Sequence, residues 1–242
     1  MRAEARPLPS VAGTWVVMRR ELRALLQDRR SLSMMVIFGI VFPIILAVGA
    51  TGPKNGVGYV VGIMTEVLLF PYIAGLQAAL TAFVGEREHG TLGPLLATPL
   101  SNVSIFAGKL LGAAYIPSFA ASGIGLGIFL AVIGTTNPGP VREIGGGAMA
   151  QLIAIAIVAG FAMIVLGLLV GSKAKSVRGA QGVSTVVVLP VIVGVQVLAS
   201  SVTHRGPAFS AAILGGLFAA IVLGLVFSAR IWNREEALVS LG

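Results

Sequence analysis

Apolar residues fall in six long stretches along this chain: Leu32 to Ala50, Glu66 to Val84, Leu110 to Ile133, Met149 to Gly171, Val183 to Val202 and Phe209 to Ile231. A helix needs roughly 20 such residues to cross a hydrocarbon layer of about 30 Å, and each stretch is of that length. Each is apolar all round. Strands of a membrane barrel would instead alternate and run to about 10 residues, so helices are predicted. Val57 to Met64 reads two ways, as an extension of the second stretch or as a short segment at the outer face. The fold class expected is all-α, a polytopic membrane protein with six transmembrane helices.

Before the first stretch the period changes. Val11, Trp15, Met18, Leu22, Leu25 and Leu26 fall on one helical face, with Arg19, Arg20, Arg23, Gln27 and Arg30 on the other. This predicts an N-terminal amphipathic interfacial helix, apolar side in the lipid and cations toward anionic headgroups. A helix packed on a protein partner has the same pattern. The chain thus divides into a cytoplasmic N-terminus (1–31), a six-helix membrane domain (32–231) and a C-terminal tail (232–242).

Composition supports a lipid-facing chain. Of 242 residues, 56% are hydrophobic and 11% charged, against about 25% charged in a soluble domain. The net charge of +8 invites a nucleic-acid reading, but no basic patch interleaved with aromatic residues accompanies it, so no nucleic-acid partner is expected. The cations instead sort by side. Fourteen Lys and Arg fall before the first, after the second, after the fourth and at or after the sixth stretch; only Lys54, Arg142 and Arg205 fall in the opposite loops. By the positive-inside rule both termini lie in the cytoplasm and the protein is a multi-pass protein of the cell membrane. The first stretch is expected to be retained, because a charged leader of 31 residues exceeds an ordinary signal-peptide n-region. Cysteine is absent, and His89 and His204 lie far apart. No metal site, catalytic constellation or enzyme activity is therefore expected of the chain itself.

Glycines four apart, at Gly108/Gly112, Gly123/Gly127 and Gly167/Gly171, permit close helix contact, either between two copies or within one chain. Pro43, Pro71, Pro117 and Pro190 each remove a hydrogen bond inside a different span and can bend it.

The loop 85–109 is the most informative segment. Glu86, Arg87 and Glu88 close the second span and Gly90 interrupts it. Thr91 can cap a short helix that Pro99 ends, and Leu92, Leu95 and Leu96 give that helix an apolar ridge suited to a partner protein. Here the sequence resembles the type-2 permease family of ABC transporters, whose members often carry Glu-x-Glu-x-Gly-Thr-Leu-Glu-x-Leu-Leu-x-x-Pro after the second span. Ala180-Gln181 after a basic loop, and Phe227 to Glu235 near the C-terminus, are weaker likenesses. Gly93-Pro94 departs from the family pattern and removes a charge that would contact a partner.

The resemblance implies a coupling helix at Thr91, Leu92, Leu95, Leu96 and Ala97, seated in a separate cytoplasmic ATPase subunit. It also implies a cytoplasmic gate at Glu86, Arg87 and Glu88, and a dimer with a second copy or a homologous permease, acting as an exporter. No P-loop surrounds Lys109, since Val103 stands where its first glycine would be; ATP and Mg belong to the partner ATPase, and no cofactor is expected in this chain. Within the spans, Glu66, Gln77 and Gln196 are candidates for a substrate path. For Glu66 an interfacial, hydrated position near the outer end of its span is the competing explanation, and for the two glutamines interhelical hydrogen bonding. The alternative function is an ion-gradient-driven secondary transporter with Glu66 as its coupling site.

Overall fold

The computed structural model describes residues 10–52, 56–88, 100–171, 174 and 176–204, with five single positions between 209 and 219. All elements among them are helical: α1 (Ser10–Gln27), α2 (Arg29–Gly49), α3 (Val57–Glu88), α4 (102–136), α5 (Pro138–Gly171) and α6 (Val177–His204). Helices α2 to α6 are each long and apolar enough to cross a membrane, which gives five spans. The predicted sixth stretch, at 209–231, and the predicted short helix at 91–97 lie outside the described residues.

The ambiguous Val57 to Met64 segment is continuous with α3. Its Val60, Val61, Ile63 and Met64 are buried, and tertiary packing carries the helix upstream. α3 is the central column. It touches α2, α4, α5 and α6, while α2 meets α4, α4 meets α5 and α5 meets α6 around it. Consequently α3 and α5 are the most enclosed spans, and α2, α4 and α6 turn most of their surface outward.

Glycine makes these approaches possible. A Cβ at Gly160 would lie 2.6 Å from the Tyr72 ring, and one at Gly167 2.6 Å from Leu76, so α3 side chains fill notches in α5. At the α2–α4 crossing, Gly39 faces Ala121 and Gly125 faces Pro43, both at 2.9 Å. The expected small-residue contacts are thus intrachain at Gly108, Gly112 and Gly167, while Gly123 and Gly127 have nothing within 4 Å.

The prolines act in two ways. Pro71 and Pro190 sit inside otherwise regular helices. Pro43 and Pro117 each follow, by two residues, a wide π turn, Ile37–Val41 and Leu110–Tyr115 respectively. A wide turn moves the preceding carbonyls off the proline ring that a regular helix would drive into them. In α5 the break is at Gly145, whose φ of 68° suits a residue without Cβ.

Candidate functional site

Two polar features stand out in this apolar bundle, one at an end and one along its length.

At the end where α3 finishes, α1 lies across the start of α4. Val17 and Met18 rest on Gly108 and Gly112, and Gly13 rests on Ser104. The face α1 turns to the bundle is therefore Gly13, Val17, Glu21 and Leu25. It is offset from the apolar face expected from periodicity. Val11, Trp15 and Leu26 of that expected face remain exposed, beside the exposed Arg19 and Arg23. α1 consequently has three sectors, one on protein, one apolar and free, and one basic.

Beneath α1 lies a buried ion cluster. Lys109 Nζ is 2.7 Å from Glu86 Oε1 and 3.3 Å from Glu21 Oε1, and it donates to the Ala82 carbonyl at 3.0 Å. The Phe83 ring centroid is 5.5 Å away, and Arg20 approaches Glu86 at 3.8 Å. Lys109 is 2% exposed, Glu21 9% and Glu86 16%, so water contributes little to their solvation. Burying such charges is tolerable because two carboxylates are balanced by two cations and each group has a near partner.

Of the predicted gate residues, Glu86 belongs to this cluster. Glu88 does something else: its Oε2 accepts from the Val177 backbone N–H at 3.0 Å, joining the end of α3 to the first turn of α6. Arg87 shares the last turn of α3. Thr91, Leu92, Leu95, Leu96 and Ala97 lie outside the described residues; Glu86 and Lys109, on the helices that precede and follow them in sequence, form an ion pair. Lys109, Glu21 and Arg20 were not singled out from sequence. The available signal was a lone lysine opening a long apolar run.

The second feature runs along α3. Between Val60 and Leu80 every residue is buried except Gly62, Glu66, Phe70, Ile73 and Gln77, and Thr81 continues the series. Spacings of three and four place them on one helical stripe. α6 borders the stripe where Gln196 Nε2 donates to Glu66 Oε1 at 3.4 Å and to the Gly62 carbonyl at 3.3 Å. α2 borders it where Phe38 and Phe42 pack on Phe70, with ring centroids 6.1 and 4.7 Å apart. Two of the three predicted path residues, Glu66 and Gln196, are thus in contact. The third, Gln77, lies on the same stripe about 16 Å further along, its Oε1 buried without a hydrogen-bond partner. Nine residues of α3 precede Glu66, which falls about 10 Å from the helix midpoint.

Five apolar spans, four of them packed on the central α3 with its one partly exposed stripe, define a multi-pass helical membrane protein. Residues 59–215 match the family described as ABC-2 family transporter protein, and the chain belongs to that family. It is similar to a protein of Pseudomonas aeruginosa (strain PAO1) named "Probable ABC transporter permease protein NosY", with 30% identity over 175 residues, 69% of this chain and 62% of that protein. The likeness therefore spans less than two thirds of that relative's own length. Glu86 and Lys109 fall inside the family match, whereas α1 and α2 precede it.

Proposed function

We propose that this chain is the permease subunit of an ABC exporter. Its cargo moves along the α3 stripe, and the segment holding the helix expected at 91–97 seats in a separate cytoplasmic ATPase that holds the ATP and Mg. The observation that carries the reading is the ion cluster that joins the helices on either side of that segment. Glu86 of α3 and Lys109 of α4 are tied to each other and to Glu21 of α1, so a push on the segment would reach α1, α3 and α4 together. A loop with independent ends would dissipate the push locally.

In this reading the cation-rich end of the bundle is cytoplasmic and residues 209–231 form the sixth span. α1 rests in the headgroup layer, the free apolar sector of Val11, Trp15 and Leu26 in lipid and Arg19 and Arg23 at the phosphates. A second copy, or a homologous permease, faces the stripe and completes the path. The family to which the chain belongs favours this reading over an ion-gradient carrier.

Affinity purification from native membranes tests it. The intact protein is expected to bring down a P-loop ATPase, and Leu95→Asp with Leu96→Asp to lose it. Recovery of no such ATPase, or undiminished recovery with the double variant, overturns the coupling assignment.

A further inference from the structure

We infer that the α3 stripe is a binding site for an amphipathic organic cation, whose positive centre meets Glu66 and whose apolar body lies against Phe70 and its aromatic neighbours. The inference rests on reading the stripe as the cargo path and adds the chemical class of the cargo.

Charge is the first argument. Among the described residues Glu66 is the one carboxylate in the interior of a span; Glu86 and Glu88 end α3, and Glu143 precedes the break at Gly145. An ionised carboxylate at that depth is costly unless compensated. The ion pairs among the described residues all lie at the Lys109 cluster, and none involves Glu66. Its hydrogen-bond partner there is the Gln196 amide at 3.4 Å, one long bond to a group that can accept about four. The site therefore has a carboxyl group held in position by a neutral donor, and a bound cation would supply the charge partner that the described residues do not. A structural carboxylate would be expected to have a fixed cationic partner, as Glu86 has.

Shape and surroundings supply the second argument. One turn on from Glu66, Phe70 is partly exposed and backed by Phe38 and Phe42, with Phe42 edge-on at 4.7 Å. Aromatic faces attract organic cations and also receive apolar groups. Ile73 continues the apolar floor, and beyond it lies Gln77, whose Oε1 is buried without a hydrogen-bond partner. The order along the stripe is carboxylate, aromatic cluster, aliphatic side chain, amide oxygen. A small inorganic ion would use the first and leave the rest unoccupied, whereas an anion would be repelled by the first.

Equilibrium binding to the full-length protein in phosphatidylcholine nanodiscs, with empty nanodiscs as the blank, tests the inference without the ATPase. Tetraphenylphosphonium and tetraphenylborate are the probes, because they match in shape and differ in sign. Saturable binding is expected for the cation and not for the anion. Glu66→Gln keeps the size of the side chain and is expected to weaken cation binding by about tenfold, the loss of one charged contact, while Glu66→Asp retains it. Phe70→Ala is expected to weaken it as well. Equal binding of both probes, or cation binding unchanged in Glu66→Gln, overturns the inference, and so does saturable cation binding that Glu66→Asp loses as completely as Glu66→Gln. The path reading fails separately. If the cation binds in a Glu66-dependent manner yet is not carried by the ATPase-bound protein in vesicles, the site stands and the stripe is not the route.

Discussion

Lys109 of α4 and Glu86 of α3 meet at 2.7 Å, with Glu21 of α1 at 3.3 Å from the same ammonium. The three charges come from elements far apart in sequence and together fasten the N-terminal helix to the second and third spans.

Lys109→Met should therefore release α1. It leaves two buried carboxylates without their shared ammonium, and breaking a buried ion pair costs about 3 kcal/mol or more. The chain has no cysteine, so Gly13→Cys with Ser104→Cys reports docking directly. A Cβ at Gly13 lies 3.2 Å from Ser104 Cβ, near disulfide range. Oxidative crosslinking should be fast in the wild-type background, slow with Lys109→Met, and restored when Glu21→Gln and Glu86→Gln are added. Equal rates in all three backgrounds would exclude an electrostatic clamp.

Gly108→Val should undock the same helix by contact alone, since even a Cβ there would lie 2.6 Å from Val17. Overpacking of this sort costs about 1–3 kcal/mol. Gly123→Ala and Gly127→Ala meet open space and should leave thermal stability in detergent within about 0.5 kcal/mol of wild type. Stability loss at Gly127 equal to that at Gly108 would contradict the intrachain assignment.

Asp28 separates α1 from α2 by capping the latter. Its carboxylate accepts from the Arg30 and Ser31 backbone N–H groups at 3.1 and 3.2 Å and from the Ser31 hydroxyl. The Ser31 hydroxyl, more than any other group, holds its pKa below the ordinary 3.8, with the two backbone donors and Arg30 adding to the effect. A depressed folded-state pKa contributes stability above the unfolded value that is lost as pH falls through the folded one. Asp28→Ala should thus cost about 1 kcal/mol near neutrality, and the difference should close below about pH 4. Melting curves of both proteins from pH 7 to pH 3 would show it. A gap that widens on acidification would refute the sign.

Single cysteines along α3 test the stripe. Water-soluble maleimides should label Phe70→Cys, Ile73→Cys, Gln77→Cys and Thr81→Cys, and should miss Ala74→Cys and Ala79→Cys, which replace buried residues. Uniform protection at all six positions would mean that lipid or protein covers the stripe and that water does not reach it.

Much of the fold was legible in sequence because membrane-spanning helices are set by apolar length, which is a local property. The span boundaries moved outward where tertiary contact extends a helix past its apolar stretch, as at Val57 to Met64. What could not be read was partnership. Lys109 is 23 residues from Glu86 and 88 from Glu21, and no periodicity links them. The docked face of α1 is hidden from sequence for a similar reason: Val17 and Met18 are packed because glycines at 108 and 112 open a seat for them, not because of their own neighbours in sequence. Glu66, Gln77 and Gln196 were found because polar residues inside apolar stretches are conspicuous. The contact between Glu66 and Gln196 required the fold.

The wide turn at Leu110–Tyr115 sits between the two halves of α4 that have different duties. Before it lie Gly108 and Lys109, which carry α1; after it lies Ser122, whose hydroxyl donates to the Leu68 carbonyl of α3 at 2.7 Å deep in the bundle. Such a turn holds one residue more than an α-turn, so its conversion to α geometry would twist one half against the other by about 100°. α1 rests on this turn itself, through Met18 on Gly112, so the one extra residue fixes the angle between the face of α4 that carries α1 and the face that meets α3.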